Sequence, residues 1–139
     1  VMGAIDLAPA SSETANGVIG AGQYFTASDD GLSRSWRGRV WMNPPYAQPL
    51  IGDFAAKLTQ SPRVTQACVL VNNATETEWF HTLAVRASAL CFPKGRVRFW
   101  HPNKESAQPL QGQAVIYIGS EPQVFAEAFA SFGLVAMFG

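Results

Sequence analysis

The chain has 139 residues, 47% hydrophobic and 14% charged, which excludes a disordered coil and provides for one packed core in a single domain over 1–139. Its 10 basic and 10 acidic side chains cancel to a formal net charge of zero. That excludes a general nucleic-acid coat, and any contact with nucleic acid would rest on local clusters such as Arg34, Arg37 and Arg39, or Lys94, Arg96, Arg98, His101 and Lys104. No apolar run reaches the roughly 18 residues of a membrane span, and no basic-then-apolar leader opens the chain. No membrane partner and a cytoplasmic location are therefore expected, and with Val1 in place of Met the chain is expected to begin inside a longer reading frame.

Residues 2–7 form a short apolar run, read as a strand with Asp6 near its carboxyl end. Ser11 to Asn16 carry the capping and turn chemistry that opens a short helix or a loop, and the glycine-rich stretch 17–22 reads as a loop. Residues 24–31 end in an Asp29-Asp30-Gly31 turn. Residues 39–42 form a strand, stopped by Asn43-Pro44-Pro45 because two prolines cannot continue a sheet ladder. Leu50, Ile51, Phe54, Ala55 and Leu58 recur at helical spacing, which predicts an amphipathic helix over 49–60. The continuous apolar run 66–71 has the pattern of a buried parallel strand.

A second helix is expected over 75–87, with Trp79, Phe80, Leu83 and Ala84 inward. A strand follows at 89–92, a half-exposed one at 95–100 and a buried one at 114–118. A helix over 121–132 and a strand over 134–138 close the chain. Strands alternating with helices across short links predict an α/β fold. In such sheets ligands bind outside the carboxyl ends of the strands, which puts Asp6, Asn43 and Asn72 on one rim. Cys68 and Cys91 read as buried free thiols, and His81 and His101 stand too isolated for a metal site.

Asn43-Pro44-Pro45-Tyr46 carries the chemistry. The prolines fix two φ angles and remove two backbone donors, leaving a rigid loop with two acceptors, the Asn43 side-chain oxygen and the Pro44 carbonyl. An exocyclic amine offers two hydrogens. Held by two such acceptors, its nitrogen can turn a lone pair toward an electrophile, and Tyr46 supplies an aromatic face for a flat base. Positioning of this kind contributes as much as about 7–11 kcal/mol of a barrier in the best cases.

The loop and five further stretches resemble the phage-type DNA adenine (N-6) methyltransferases. Ile5-Asp6-Leu7-Ala8, followed by a Ser and an Asn, is similar to the family's Leu-Asp-x-Ala element. Tyr24-Phe25-Thr26 with Asp29-Asp30-Gly31-Leu32 resembles its Tyr-Phe-Thr…Asp-Asp-Gly-Leu element. Trp36 and Gly38-Arg39-Val40-Trp41 lead into the proline loop as in the family. Thr75-Glu76-Thr77-Glu78-Trp79-Phe80-His81 and Lys94-Gly95-Arg96-Val97-Arg98-Phe99 are similar to its later blocks. The resemblance covers most of the chain in the right order. It implies a Rossmann-like methyltransferase fold, a largely parallel sheet with helices on both faces, and S-adenosylmethionine as methyl donor to the exocyclic amine of adenine in DNA. Asn43, Pro44, Pro45 and Tyr46 would be catalytic. By analogy Asp6 would receive the cofactor ribose hydroxyls, Asp29 or Asp30 would contact the cofactor adenine, and Phe25 would pack on that ring. Lys94, Arg96 and Arg98 share one face of the strand expected there and would contact phosphates, with Trp100 as a second stacking surface for an extruded base.

Three departures stand against this pattern. The family's Trp-x-Thr-Pro element before the first strand is absent, as in an N-terminally truncated member. Gly20-Ala21-Gly22 only superficially resembles a cofactor-binding glycine loop: too few residues precede Asp29 for the helix and strand that should follow, so it reads as a loop insertion. Asn72-Asn73 stands where the family more often has Pro-Ala, with Ala74 in place of an arginine. The alternatives are a truncated or degenerate relative that binds DNA or protein without catalysis, and a methyltransferase acting on an RNA adenine or a protein glutamine. The recognition site, the strandedness of the target and the oligomeric state are not encoded in any motif of the chain.

Overall fold

The computed structural model describes residues 2–95 and 112–138. Residues 64–72 organise the core. They form the longest strand, β4 (Val64–Asn72), whose side chains alternate between the two faces of a sheet. Ala67, Val69 and Val71 join one apolar cluster, and Cys68 and Leu70 join another. The remaining strands are β1 (Leu7–Ala8), β2 (Gln23–Tyr24), β3 (Gly38–Met42), β5 (Ala89–Pro93), β6 (Gln113–Ile118) and β7 (Gly133–Met137). Among the described residues they form one 7-stranded sheet in the order β2-β1-β3-β4-β6-β5-β7.

Helices cover both faces. On one side α2 (Leu50–Gln60) lays Ile51, Phe54, Ala55 and Leu58 on the sheet, and α3 (Glu78–Ala84) adds Trp79, Phe80 and Leu83. The spacing of those α2 residues is one apolar helical stripe. On the other side α4 (Pro122–Phe129) inserts Phe125, which stacks on Tyr117 at 5.1 Å between ring centroids. Each fully buried Val, Leu, Ile or Phe contributes about 1.5–3 kcal/mol of transfer free energy. Burial also pushes the Cys68 thiol up to about 12, so it stays neutral within this second cluster beside Cys91.

The sheet is mixed, which corrects the expectation of a largely parallel one. β2-β1-β3-β4 pair in parallel, but β4–β6, β6–β5 and β5–β7 are antiparallel. The apolar runs do not distinguish the two arrangements, because strands covered on both faces lose the alternating pattern whichever way their neighbours run. The helices after the proline loop are displaced only at their ends. α3 starts later than expected because Thr77 bonds back to Ala74 and caps the helix through Phe80 N–H. α4 stops at Phe129, and β7 begins at Gly133. Stretch 17–22 is partly helical, since α1 (Glu13–Ile19) runs into it from an N-cap at Ser12. The half-exposed strand expected over 95–100 falls largely outside the described residues. Among those described, no helix is long and apolar enough to cross a membrane.

Candidate active site

The parallel half of the sheet ends in a cavity of about 560 Å³. Its walls come from the segments that follow three adjacent strands, where open sheets characteristically hold ligands. Ala10, Ser11 and Ser12 follow β1, Thr26 and Asp30 follow β2, and Asn43, Pro44, Pro45 and Tyr46 follow β3; Leu50 and Phe54 of α2 close the apolar side. Volume and lining fit a small organic ligand with a few polar groups.

The proline loop is held from behind. The Tyr46 hydroxyl lies 3.1 Å from Asn43 Oδ1 and 3.2 Å from the Leu70 carbonyl, both acceptors. Gln113 Nε2 donates to the same hydroxyl at 3.3 Å and to Asn72 Oδ1 at 3.4 Å. Burial pushes the Tyr46 phenol up to about 12, so it remains a donor at any physiological pH. Each neutral bond of this kind is worth about 0.5–1.5 kcal/mol net. Gln113 is 3% exposed. Its Oε1 has no partner among the described residues, a loss of about 1–3 kcal/mol for a desolvated acceptor.

The structure brings some expected residues together and separates others. Asn43, Pro44, Pro45 and Tyr46 share the cavity wall with Asp30. Asn72 stands on the same rim, at the end of β4. Asp6 does not. It precedes β1, its N–H donates to the Arg39 carbonyl, and its own carbonyl accepts from Gln23, which places it at the starting edge of the sheet. The strand expected over 2–7 begins too early, because Gly3 turns the chain at φ +71° and pairing starts at Leu7.

The Asp6 carboxylate is bound at that edge. It accepts from Arg39 Nε at 3.1 Å and from Arg39 N–H at 2.9 Å, bonds that hold it below the ordinary 3.8. Gly38, at φ +78°, is needed there, since a Cβ would come 2.5 Å from Asp6 Oδ2. Asp29 is likewise occupied: Thr26 donates to its carboxylate from both N–H and hydroxyl, which holds its pKa low and caps a single 3₁₀ turn. Phe25 is a core residue, buried and crossed by the Arg34 guanidinium at 5.9 Å. Asp30 is exposed and in left-handed backbone at φ 51°, and none of the hydrogen bonds among the described residues uses its carboxylate.

Lys94 is exposed just past β5, which points the same way as β4, so it stands on the carboxyl rim. Arg96, Arg98 and Trp100 lie outside the described residues, as do Phe99, His101 and Lys104. The contribution of Gln113 was not visible in the sequence. A single glutamine ahead of the apolar run 114–118 gives no pattern, although a buried polar residue at the head of a strand is the signal that would have found it.

The model of one protein family, described as DNA N-6-adenine-methyltransferase (Dam), matches residues 3–131. No curated protein matches the chain. The match spans both halves of the sheet and the loop at Asn43, and the chain belongs to the DNA N-6-adenine-methyltransferase (Dam) family, whose activity is the methylation of adenine in DNA.

Proposed function

We propose that residues 1–139 form a single Rossmann-like methyltransferase unit that moves a methyl group from S-adenosylmethionine to the exocyclic amine of adenine in DNA, within the cavity beyond β1, β2 and β3. The observation that carries this reading is the position of Asn43: the residue lines the cavity, and its side-chain oxygen is held by the Tyr46 hydroxyl. An amide oxygen has two lone pairs. Tyr46 takes one, and the other is left for a hydrogen of the substrate amine. The Pro44 carbonyl takes the second hydrogen, and the nitrogen lone pair is then directed at the methyl group.

The donor set suits the cofactor. Asp30 offers a carboxylate to a pair of hydroxyls, and Leu50 and Phe54 offer an apolar wall to an adenine ring. S-adenosylmethionine supplies a methyl group made electrophilic by a sulfonium sulfur. Asn43 and Pro44 hold the amine while the nitrogen–carbon bond forms and the carbon–sulfur bond breaks, and the surplus amine proton then leaves to solvent. No residue with a strongly shifted pKa is required, because the leaving thioether is neutral. Tyr46 presents its ring to the cavity as the stacking surface for the base. Lys94, with Arg96, Arg98 and Trp100 of the adjoining sequence, is assigned to DNA.

The test is calorimetric titration with S-adenosylmethionine and S-adenosylhomocysteine, followed by transfer of labelled methyl groups to adenine-containing DNA. Micromolar binding and label in N6-methyladenine are expected for the wild-type chain. Asn43→Ala should keep cofactor binding and lose at least about a hundredfold in transfer, the scale at which misplacing a reacting group acts. Cofactor binding without transfer to DNA would move the substrate to another amine, and a folded chain that binds no cofactor would sink the reading.

A further inference from the structure

We infer that Gln113 is a positioning residue for Asn43, acting through the Tyr46 hydroxyl; this rests on the methyl-transfer reading above. A phenol has one proton, and here two acceptors compete for it, Asn43 Oδ1 at 3.1 Å and the Leu70 carbonyl at 3.2 Å. A third group decides how the hydroxyl is turned. Gln113 Nε2 donates to the phenolic oxygen at 3.3 Å, occupying a lone pair and restricting rotation of the O–H about its C–O bond. Its second amide hydrogen goes to Asn72 Oδ1 at 3.4 Å, which fixes the amide plane. Asn72 is thus one end of a chain of bonds running Asn72, Gln113, Tyr46, Asn43 across the ends of β4, β6 and β3.

The environment argues that this glutamine is kept for its donors. Ala114, Val115, Ile116 and Tyr117 follow it in β6, all buried, and Gln113 is the polar residue at the head of that run. Its own Oε1 has no partner among the described residues, so the amide is not there to satisfy itself. Turning the amide over would place Oε1 against the Tyr46 oxygen. It would then take the phenol's proton, and Asn43 would lose the bond that sets its orientation. With Nε2 on the phenolic oxygen, the hydroxyl keeps its proton for its own acceptors, and the bond to Asn43 Oδ1 occupies one lone pair of that oxygen and leaves the other.

The experiment is a double-mutant cycle of Gln113→Met and Tyr46→Phe, read by kcat, by KM for DNA, by cofactor affinity and by the side-chain amide resonances of Asn43 in ¹⁵N-labelled protein. Q113M should lower kcat about tenfold to a hundredfold, with cofactor affinity and KM little changed. It should shift and broaden the Asn43 amide signals, and it should cost nothing further in a Y46F background. Equal losses in both backgrounds would show that Gln113 does not act through the hydroxyl and overturn the inference. An unchanged kcat and unchanged Asn43 signals would overturn it while leaving the methyl-transfer reading intact. If Q113M does not fold, Gln113→Asn, which withdraws the amide by one methylene, takes its place with the same outcomes expected. A wild-type chain that transfers no methyl group overturns the functional reading and this inference together, so the two failures are told apart.

Discussion

Asp6, just ahead of β1, and Asp30, between two 3₁₀ turns, both lie beside the parallel half of the sheet, and their surroundings assign them different work. Asp6 spends its carboxylate on Arg39 at the starting edge, whereas Asp30 borders the cavity. Asp30→Asn should weaken S-adenosylmethionine binding about tenfold, the loss of one hydrogen bond to a charged group. Asp6→Asn should leave that affinity unchanged and lower the melting temperature at neutral pH. The direction with pH follows from the depressed Asp6 pKa. A carboxylate held below its ordinary 3.8 contributes stability that is present above that value and lost as pH falls through the folded-state value. The gap in melting temperature between wild type and Asp6→Asn should therefore close as pH is lowered from 7 toward 3. Titration calorimetry of both variants and melting curves across pH check the pair. A loss of cofactor affinity in Asp6→Asn would restore the role that its place in the sequence suggested.

At the scale of elements, the cavity depends on how closely the segment after β2 packs against the end of β1. Gly31 makes that contact possible: a Cβ there would lie 2.5 Å from the Pro9 carbonyl oxygen. The buried Trp36 indole donates to the Gly31 carbonyl at 2.8 Å and prevents the turn from moving away. Gly31→Ala should cost about 1–3 kcal/mol as an overpacked contact, a fall of several degrees in melting temperature, together with a measurable loss of cofactor affinity because Asp30 moves with the turn. Full affinity in a destabilised Gly31→Ala would separate the turn from the site. Much of this architecture is legible in the residues: the stripe Ile51, Phe54, Ala55, Leu58 gives α2, and Pro44-Pro45 marks where β3 must end. β2 is not legible, since Gln23 and Tyr24 are only two residues long and carry no period. The neighbour order is also hidden, because β4 and β6 are apolar on both faces. The site follows the same division. Asn43 and Tyr46 are adjacent to the prolines that announce them, while Gln113 reaches the loop from a strand 67 residues away in sequence, a distance that no spacing rule spans.

Across the whole molecule, charge limits how DNA can be held. With 10 basic and 10 acidic side chains, the chain has no net positive field to draw a polyanion from a distance, so binding rests on the few cations that stand on the rim. Several are committed elsewhere. Arg39 is paired with Asp6, Arg34 lies over Phe25 with Nε bonded to the Asp29 carbonyl, and Lys57 sits over the Trp36 ring. Lys94, exposed just past β5, is a described cation on the same carboxyl rim as Asn72, with β6 between their strands, and Arg96 and Arg98 follow it in sequence. Each phosphate neutralised contributes a slope of about −0.9 to the logarithm of affinity against the logarithm of salt. A rim of this size should give a total slope between about −2 and −4, by fluorescence anisotropy on a short duplex. Lys94→Ala should flatten the slope by about 0.9 and weaken binding alike on all sequences, because a phosphate contact carries no base information. A slope near −8 would require most of the chain's cations to touch phosphate, including those now bound to Asp6 and Phe25. A slope unaffected by Lys94→Ala would place the DNA away from the rim where Asn43 stands, and the cavity would then have to receive its adenine from another direction.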